Sequence, residues 1–183
     1  MPIRPPRKLN STELWDYALS ALSRRALSSG ELRVKLERRA DNRDDIPPIL
    51  ARLKESKYLD DTRFAESYAE ARLHSGGLGR QRVVRDLRAR RVAPGLAEQA
   101  VTNAYDGTDE VALIEDFLAR KYRNKNLPHL LKDERELASV FRKLRYSGFS
   151  AGNAIRVLKR YSHQADELEG EEEGLEREPG TEE

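Results

Sequence analysis

Arg80-Gln81-Arg82-Val83-Val84-Arg85-Asp86-Leu87-Arg88-Ala89-Arg90-Arg91 is the stretch that decides the fold. At the helical period of about 3.6 residues, Val83, Val84 and Leu87 fall on one inward face. Gln81, Arg85 and Arg88 share the outward face, flanked by Arg82. The pattern then recurs on both sides. Shifts of 51 and 57 residues align Leu32/Val83/Val140 and Leu36/Leu87/Leu144, and the following helices align as Ile46/Ala97/Ala154, Ile49/Ala100/Val157 and Leu50/Val101/Leu158. The leading helices of the second and third cycles align at a shift of 49, as Phe64/Leu113, Ala65/Ile114, Tyr68/Phe117 and Ala69/Leu118. The eight-residue difference is a longer loop around Asn124 to Leu131, and Arg33 is the one mismatch, standing where Val84 and Phe141 are apolar. Sliding any amphipathic helices gives partial register, but a shared helix order with constant shifts favours a tandem repeat whose units pack on their neighbours.

The sequence predicts nine helices and no strand. Asn10-Ser11-Thr12-Glu13 has a capping-box pattern ahead of Leu14, Trp15, Ala18, Leu19, Leu22 and Ala26. Ser28-Ser29-Gly30-Glu31 opens the second helix, and Asp44-Asp45 with Pro47 opens the third, where acids favour the positive helix end. Asp60-Asp61, Gly79, Pro94 and Ser150 mark later starts. The expected fold is all-α: three tandem three-helix modules at 11–57, 58–108 and 109–163, forming an elongated monomer, between a disordered basic N-terminus (1–10) and a disordered acidic tail (164–183).

Net charge +2 averages two unlike parts. Residues 164–183 hold ten acids against Arg177, a balance of −9, whereas the other 163 residues carry 33 Lys and Arg against 22 Asp and Glu, or +11. A basic body beside an acidic tail points either to a polyanionic partner or to solvated surface. The tail itself either competes with polyanions for the body or only solubilises it. The absence of cysteine excludes disulfides, thiolate metal sites and Cys nucleophiles. No secretory signal and no membrane-spanning run are present, so a cytoplasmic protein with no membrane partner is expected.

No catalytic or metal constellation emerges, and no cofactor is expected. His74, His129 and His163 lie in different modules without ligand spacing. Gly76-Gly77-Leu78-Gly79-Arg80 leads into a helix, where backbone N–H groups can hold phosphate. It lacks the Lys-Ser/Thr of a P-loop and a preceding strand, so a flexible inter-helix loop is the better reading. Asp60-Asp61 and Asp44-Asp45 need only the helix dipole to explain them. The chain reads as a non-enzyme.

The informative feature is the arginines. Arg80, Arg82, Arg85 and Arg88 are candidate contacts to a partner or nucleic acid, because Arg matches phosphates and carboxylates bidentately. The third module, with 12 bases to 7 acids over 109–163, adds Lys121 and Arg123 at one helix end and Arg142, Lys143 and Arg145 on another helix. A solvated face explains each patch taken alone.

Lys57-Tyr58-Leu59-Asp60-Asp61-Thr62-Arg63-Phe64-Ala65, followed by Tyr68 and Arg72, resembles the central signature of the RecX regulatory proteins. Ser29-x-Glu31-Leu32-x-x-Lys35-Leu36, Gly79-x-x-Arg82-Val83-x-x-Asp86-Leu87 and Gly148-Phe149-Ser150 with Ile155-x-Val157-Leu158 extend the resemblance over about residues 14–161. Lys57 stands where the family usually has Gly, Pro47-Pro48 is unusual, and the acidic tail lies outside the pattern. The resemblance implies a curved molecule of tandem three-helix modules that binds RecA protein and the RecA–DNA filament and inhibits ATPase and strand exchange. It adds Arg72 to the candidate contacts and leaves room for weak direct DNA binding. The alternative is a helical DNA-binding protein acting independently of RecA, in the manner of helix-turn-helix domains. Base-specific readout would need polar side chains among the arginines, and Gln81 alone qualifies. A purely structural adaptor leaves the arginines unexplained.

Overall fold

The computed structural model describes residues 7–162 and 165. Among these the chain is all-α, and its one β feature is an isolated bridge between Leu9 and Ala40. The helices are α1 (Ser11–Arg24), α2 (Ser29–Arg39), α3 (Ile46–Glu55), α4 (Asp61–Ala71), α5 (Arg80–Ala89), α6 (Pro94–Ala104), α7 (Glu110–Lys121), α8 (Leu127–Leu130), α9 (Glu134–Tyr146) and α10 (Ala151–Leu158). A 3-10 turn, Arg43–Asp45, precedes α3, and a π turn, Arg72–Gly76, follows α4. The helix beyond the expected nine is α8, in the segment read as a long loop. Four residues are too few to show a periodic stripe, although Asn126 caps it through the His129 N–H. The chain divides into two compact units, Met1–Ala69 with Val84–Asn103 and Glu70–Val83 with Ala104–Glu183.

In the first unit, the expected capping box forms at α1, and a second one forms at the Ser28–Glu31 start of α2. The Asn10 side chain accepts from the Glu13 N–H (3.0 Å) while the Glu13 carboxylate accepts from the Asn10 N–H (3.1 Å), and Ser28 and Glu31 repeat the exchange at α2. Each satisfies helix-end donors that would otherwise lack partners. Leu14, Ala18, Leu32, Leu36, Ile46, Ile49, Leu50 and Leu53 form the core with Leu9, Leu27 and Leu59. Trp15, Leu19 and Leu22 are only partly buried against it, and Ala26, beyond the end of α1, is exposed. Residues 7–10 correct the expectation of a disordered N-terminus through residue 10. The Leu9 N–H donates to the Arg39 carbonyl (2.8 Å), the Asp41 N–H donates to the Leu9 carbonyl (2.9 Å), and Leu9 is buried. One buried leucine with paired backbone anchors a segment whose composition alone is polar.

The start of α2 is joined to the end of α5 within this unit. The Ser28 hydroxyl donates to the Arg90 carbonyl, and a Cβ on Gly30 would lie 2.4 Å from the Arg91 Cβ. Asp60 and Asp61 have separate roles. Asp60 caps α4 through the Arg63 N–H (3.0 Å), whereas Asp61 accepts from the Ser29 N–H (2.6 Å), so the dipole explanation is too small for Asp61. Two non-glycine residues close helices in the left-handed region, Lys57 at φ 58° after α3 and Arg91 at φ 61° after α5. Each turn is locked by a bond back onto the helix, Tyr58 N–H to Leu53 carbonyl (3.0 Å) and Val92 N–H to Leu87 carbonyl (3.1 Å).

In the second unit, Ile114 and Leu118 of α7, Leu137, Val140, Phe141 and Leu144 of α9, and Ala154, Ile155, Val157 and Leu158 of α10 form the core with Leu131 and Phe149. Phe117 meets Phe149 edge-on at 5.5 Å. Ser150 caps α10 as expected, accepting from the Asn153 N–H. Ala165, the one described residue of the acidic segment, is buried here and donates to the Ser162 carbonyl (3.3 Å). The rest of the expected disordered tail, and residues 1–6, lie outside the described residues.

Candidate nucleic-acid interface

The site is built where α5 begins. The Gly79 N–H donates to the Ser147 carbonyl (2.9 Å) and the Gln81 N–H to the Gly148 carbonyl (3.2 Å), so the N-terminus of α5 meets the carbonyls that follow α9. Free donors of one helix satisfy free acceptors of the other. The approach leaves no room for side chains. A Cβ on Gly79 would lie 2.2 Å from the Gly148 carbonyl carbon and oxygen, and one on Gly148 (φ 91°) would lie 2.2 Å from the Arg82 nitrogen. This corrects the reading of Gly76–Arg80 as a flexible loop, because Gly77 and Gly79 are both buried and the segment is a packed joint. Its positions correspond to those of the joint in the first unit. Ser28 and Gly79 are related by the shift of 51, and Arg90 and Ser147 by the shift of 57.

The joint determines what the nearby arginines do. Arg82 lies with its guanidinium 4.7 Å from the centroid of the Tyr146 ring, at the last residue of α9. Arg142 and Lys143, exposed, precede Tyr146 by four and three residues and share its helix face. Arg145 turns back, donating to the Phe149 carbonyl (2.7 Å). Two patches that are separate in sequence, Arg82 and Arg142/Lys143, thereby meet at the end of α9 beside one tyrosine that is 67% exposed. Sequence reasoning missed Tyr146. The available signal was an aromatic residue after a basic run, off the Leu137/Val140/Phe141/Leu144 stripe.

Arg80 is committed inside the unit. It donates to the Tyr105 carbonyl (2.5 Å) and lies 5.7 Å from that ring, while the Tyr105 hydroxyl donates to the Leu78 carbonyl (2.6 Å). Burial pushes the Tyr105 phenol up to about 12, against the opposing pull of the Arg80 charge. Beside it, burial acts to raise the pKa of Glu110. Hydrogen bonds from the Ser150 hydroxyl, the Asn153 amide and the Ser150 N–H, with the Arg80 charge, outweigh burial and hold the carboxyl below its ordinary value.

The other candidates are distributed over several elements. Arg85 is exposed on α5, and Arg88 forms an ion pair with Glu98 (2.5 Å). Arg90 is held 4.9 Å from the Tyr68 ring centroid and 3.7 Å from Glu31. Arg72 is half-buried in the π turn, and Lys121 and Arg123 are exposed at the end of α7. Among the described residues no group of three His, Cys, Asp or Glu side chains could hold a metal, and no helix is long and apolar enough to cross a membrane.

Fold and surface define the class: an all-α chain presenting arginines and lysines, with an exposed aromatic ring, at helix ends. Residues 60–101 match the family description "RecX, second three-helix domain". Regulatory protein RecX of Syntrophotalea carbinolica is 30% identical over 140 residues, covering 76% of this chain and 90% of that relative. Regulatory protein RecX of Streptomyces coelicolor is 35% identical over 124 residues, 68% of this chain and 62% of that longer relative. The crystal structure of RecX from Lactobacillus salivarius shares the fold, with a TM-score of 0.65 over 82% of this chain and 96% of that one at 19% identity. The chain belongs to the RecX family.

Proposed function

We propose that this chain binds the RecA recombinase and its filament on DNA and inhibits RecA ATPase and strand exchange. Membership of a family whose relatives are named regulatory proteins carries the reading. The physics supports it. A RecA–DNA filament offers phosphates and acidic protein surface, and clustered arginines gain charge-assisted contacts with both. Blocking filament growth or occupying its groove needs shape and charge rather than bond-making groups, so the chain acts as a non-catalytic regulator.

RecA's DNA-dependent ATPase tests the proposal directly. Addition of the chain at substoichiometric ratio is expected to reduce turnover, with weaker inhibition as salt screens the cationic contacts. Unchanged turnover up to equimolar chain, together with tight sequence-specific duplex binding, would replace this reading with that of a DNA-binding protein independent of RecA.

A further inference from the structure

We propose that Tyr146, backed by Arg82 and flanked by Arg142 and Lys143, is a stacking platform for an unpaired base of single-stranded nucleic acid. Three observations converge on it. First, Tyr146 is one of two large hydrophobic side chains among the described residues that are strongly exposed, at 67%. Its exposure is built in, because it lies off the buried α9 stripe at the final residue of the helix.

Second, the ring is not an isolated surface tyrosine. The Arg82 guanidinium sits 4.7 Å from its centroid, placed there by the Gly79–Gly148 joint rather than by a flexible loop. A cation against the ring orients it and limits its rotamers, which lowers the entropy cost of stacking a base. Third, the surrounding charge suits a phosphate backbone. Arg142 and Lys143 lie one turn before Tyr146 and are exposed. The carbonyls that normally make a helix C-terminus repel phosphate are partly consumed, since Lys143, Leu144 and Arg145 of α9 accept from Ser147, Phe149 and Gly148, and the carbonyls of Ser147 and Gly148 accept from Gly79 and Gln81 at the start of α5. Cations that follow a backbone beside an aromatic face are what sequence-tolerant single-strand binding requires. Duplex DNA keeps its base faces stacked inside and would meet only the cations. An acidic protein surface would likewise use the cations and leave the ring without a role.

The site deepens the reading of the chain as a regulator of a nucleoprotein filament, but it is testable without RecA. The probe is a fluorescein-labelled oligothymidylate of about 16 nucleotides, read by anisotropy with the full chain and compared with an abasic oligonucleotide of equal length. Tyr146→Ala is expected to weaken oligothymidylate binding about tenfold or more. Tyr146→Phe, which keeps the ring, is expected to stay within about twofold. The parent chain should bind the abasic strand about as weakly as Tyr146→Ala binds oligothymidylate, and this ratio should persist as salt rises, because stacking is not screened. Circular dichroism checks that both variants keep the helical fold.

Equal binding of oligothymidylate by the parent and Tyr146→Ala would overturn the proposal, as would equal binding of abasic and intact strands by the parent. Loss of RecA inhibition by Tyr146→Ala with oligothymidylate affinity unchanged would assign the ring to a protein partner instead. ATPase inhibition without any oligothymidylate binding would sink this contact alone. Oligothymidylate binding without ATPase inhibition would sink the regulator reading alone.

Discussion

Replacing Gly79 with alanine adds one methyl group where the structure has no space for it. The new Cβ would sit 2.2 Å from both the carbon and the oxygen of the Gly148 carbonyl and 2.4 Å from the Phe149 nitrogen. Ordinary contacts of this kind begin near 3.4 Å, so the backbones must separate by more than an ångström. All three obstacles are backbone atoms, so no rotamer change relieves them. Separation on that scale breaks the Gly79–Ser147 and Gln81–Gly148 hydrogen bonds, at about 1 kcal/mol each. Overpacking adds about 1–3 kcal/mol. The expected loss is therefore about 3–5 kcal/mol, measured by urea denaturation followed by circular dichroism. The same displacement draws Arg82 away from Tyr146, so oligothymidylate affinity should fall together with stability. Gly95→Ala and Gly152→Ala are the controls. Both glycines are the second residue of their helices with nothing within 4 Å of the added Cβ, and alanine at these first-turn positions should leave stability within about 0.5 kcal/mol of the parent. A Gly79→Ala chain within about 1 kcal/mol of the parent, with undiminished binding, would refute the account of the joint.

Lys57→Gly should stabilise the first unit by about 0.5–1 kcal/mol in the same denaturation assay, because relief of a left-handed lysine at φ 58° exceeds the entropy that glycine adds to the unfolded chain. Arg82, Arg85 and Arg88 changed together to Glu should weaken inhibition of RecA about tenfold or more at low salt, with the helical circular dichroism signal unchanged. Equal inhibition by the triple variant would remove α5 from the contact. Acid titration should expose Glu110: its folded pKa is lowered, so its stabilising contribution is present above the ordinary value of 4.5 and is lost as pH falls below it. Glu110→Gln should flatten that part of the stability–pH curve, and a curve identical to the parent's would show that the Ser150 and Asn153 bonds do not carry it.

Helix positions were legible in the sequence because helix formation is local. The 3.6-residue stripes, the Asn10/Glu13 box, the helix start at Ser28 and the Ser150 cap all involve residues within about one turn, and all formed. Arginine-rich α5 was also visible, but composition treats its arginines as equals. Tertiary structure separates them. Arg80 holds Tyr105, Arg88 pairs with Glu98, Arg90 lies on Tyr68, and Arg82 lies against Tyr146. None of these partners is within one helical turn of its arginine, so no local pattern could reveal them.

The glycines show the same division. Sequence marked Gly79 as a boundary, which is all that backbone permissiveness implies. Only the fold shows that its hydrogen atom faces the Gly148 carbonyl, 69 residues away, and that this approach brings Arg82 to the end of α9. The amino-acid sequence by itself determined the helices, their buried faces and the sign of the surface charge, because each depends on neighbours along the chain. Which cations meet which ring was decided by packing between distant helix ends, where steric exclusion of a single Cβ sets the distance.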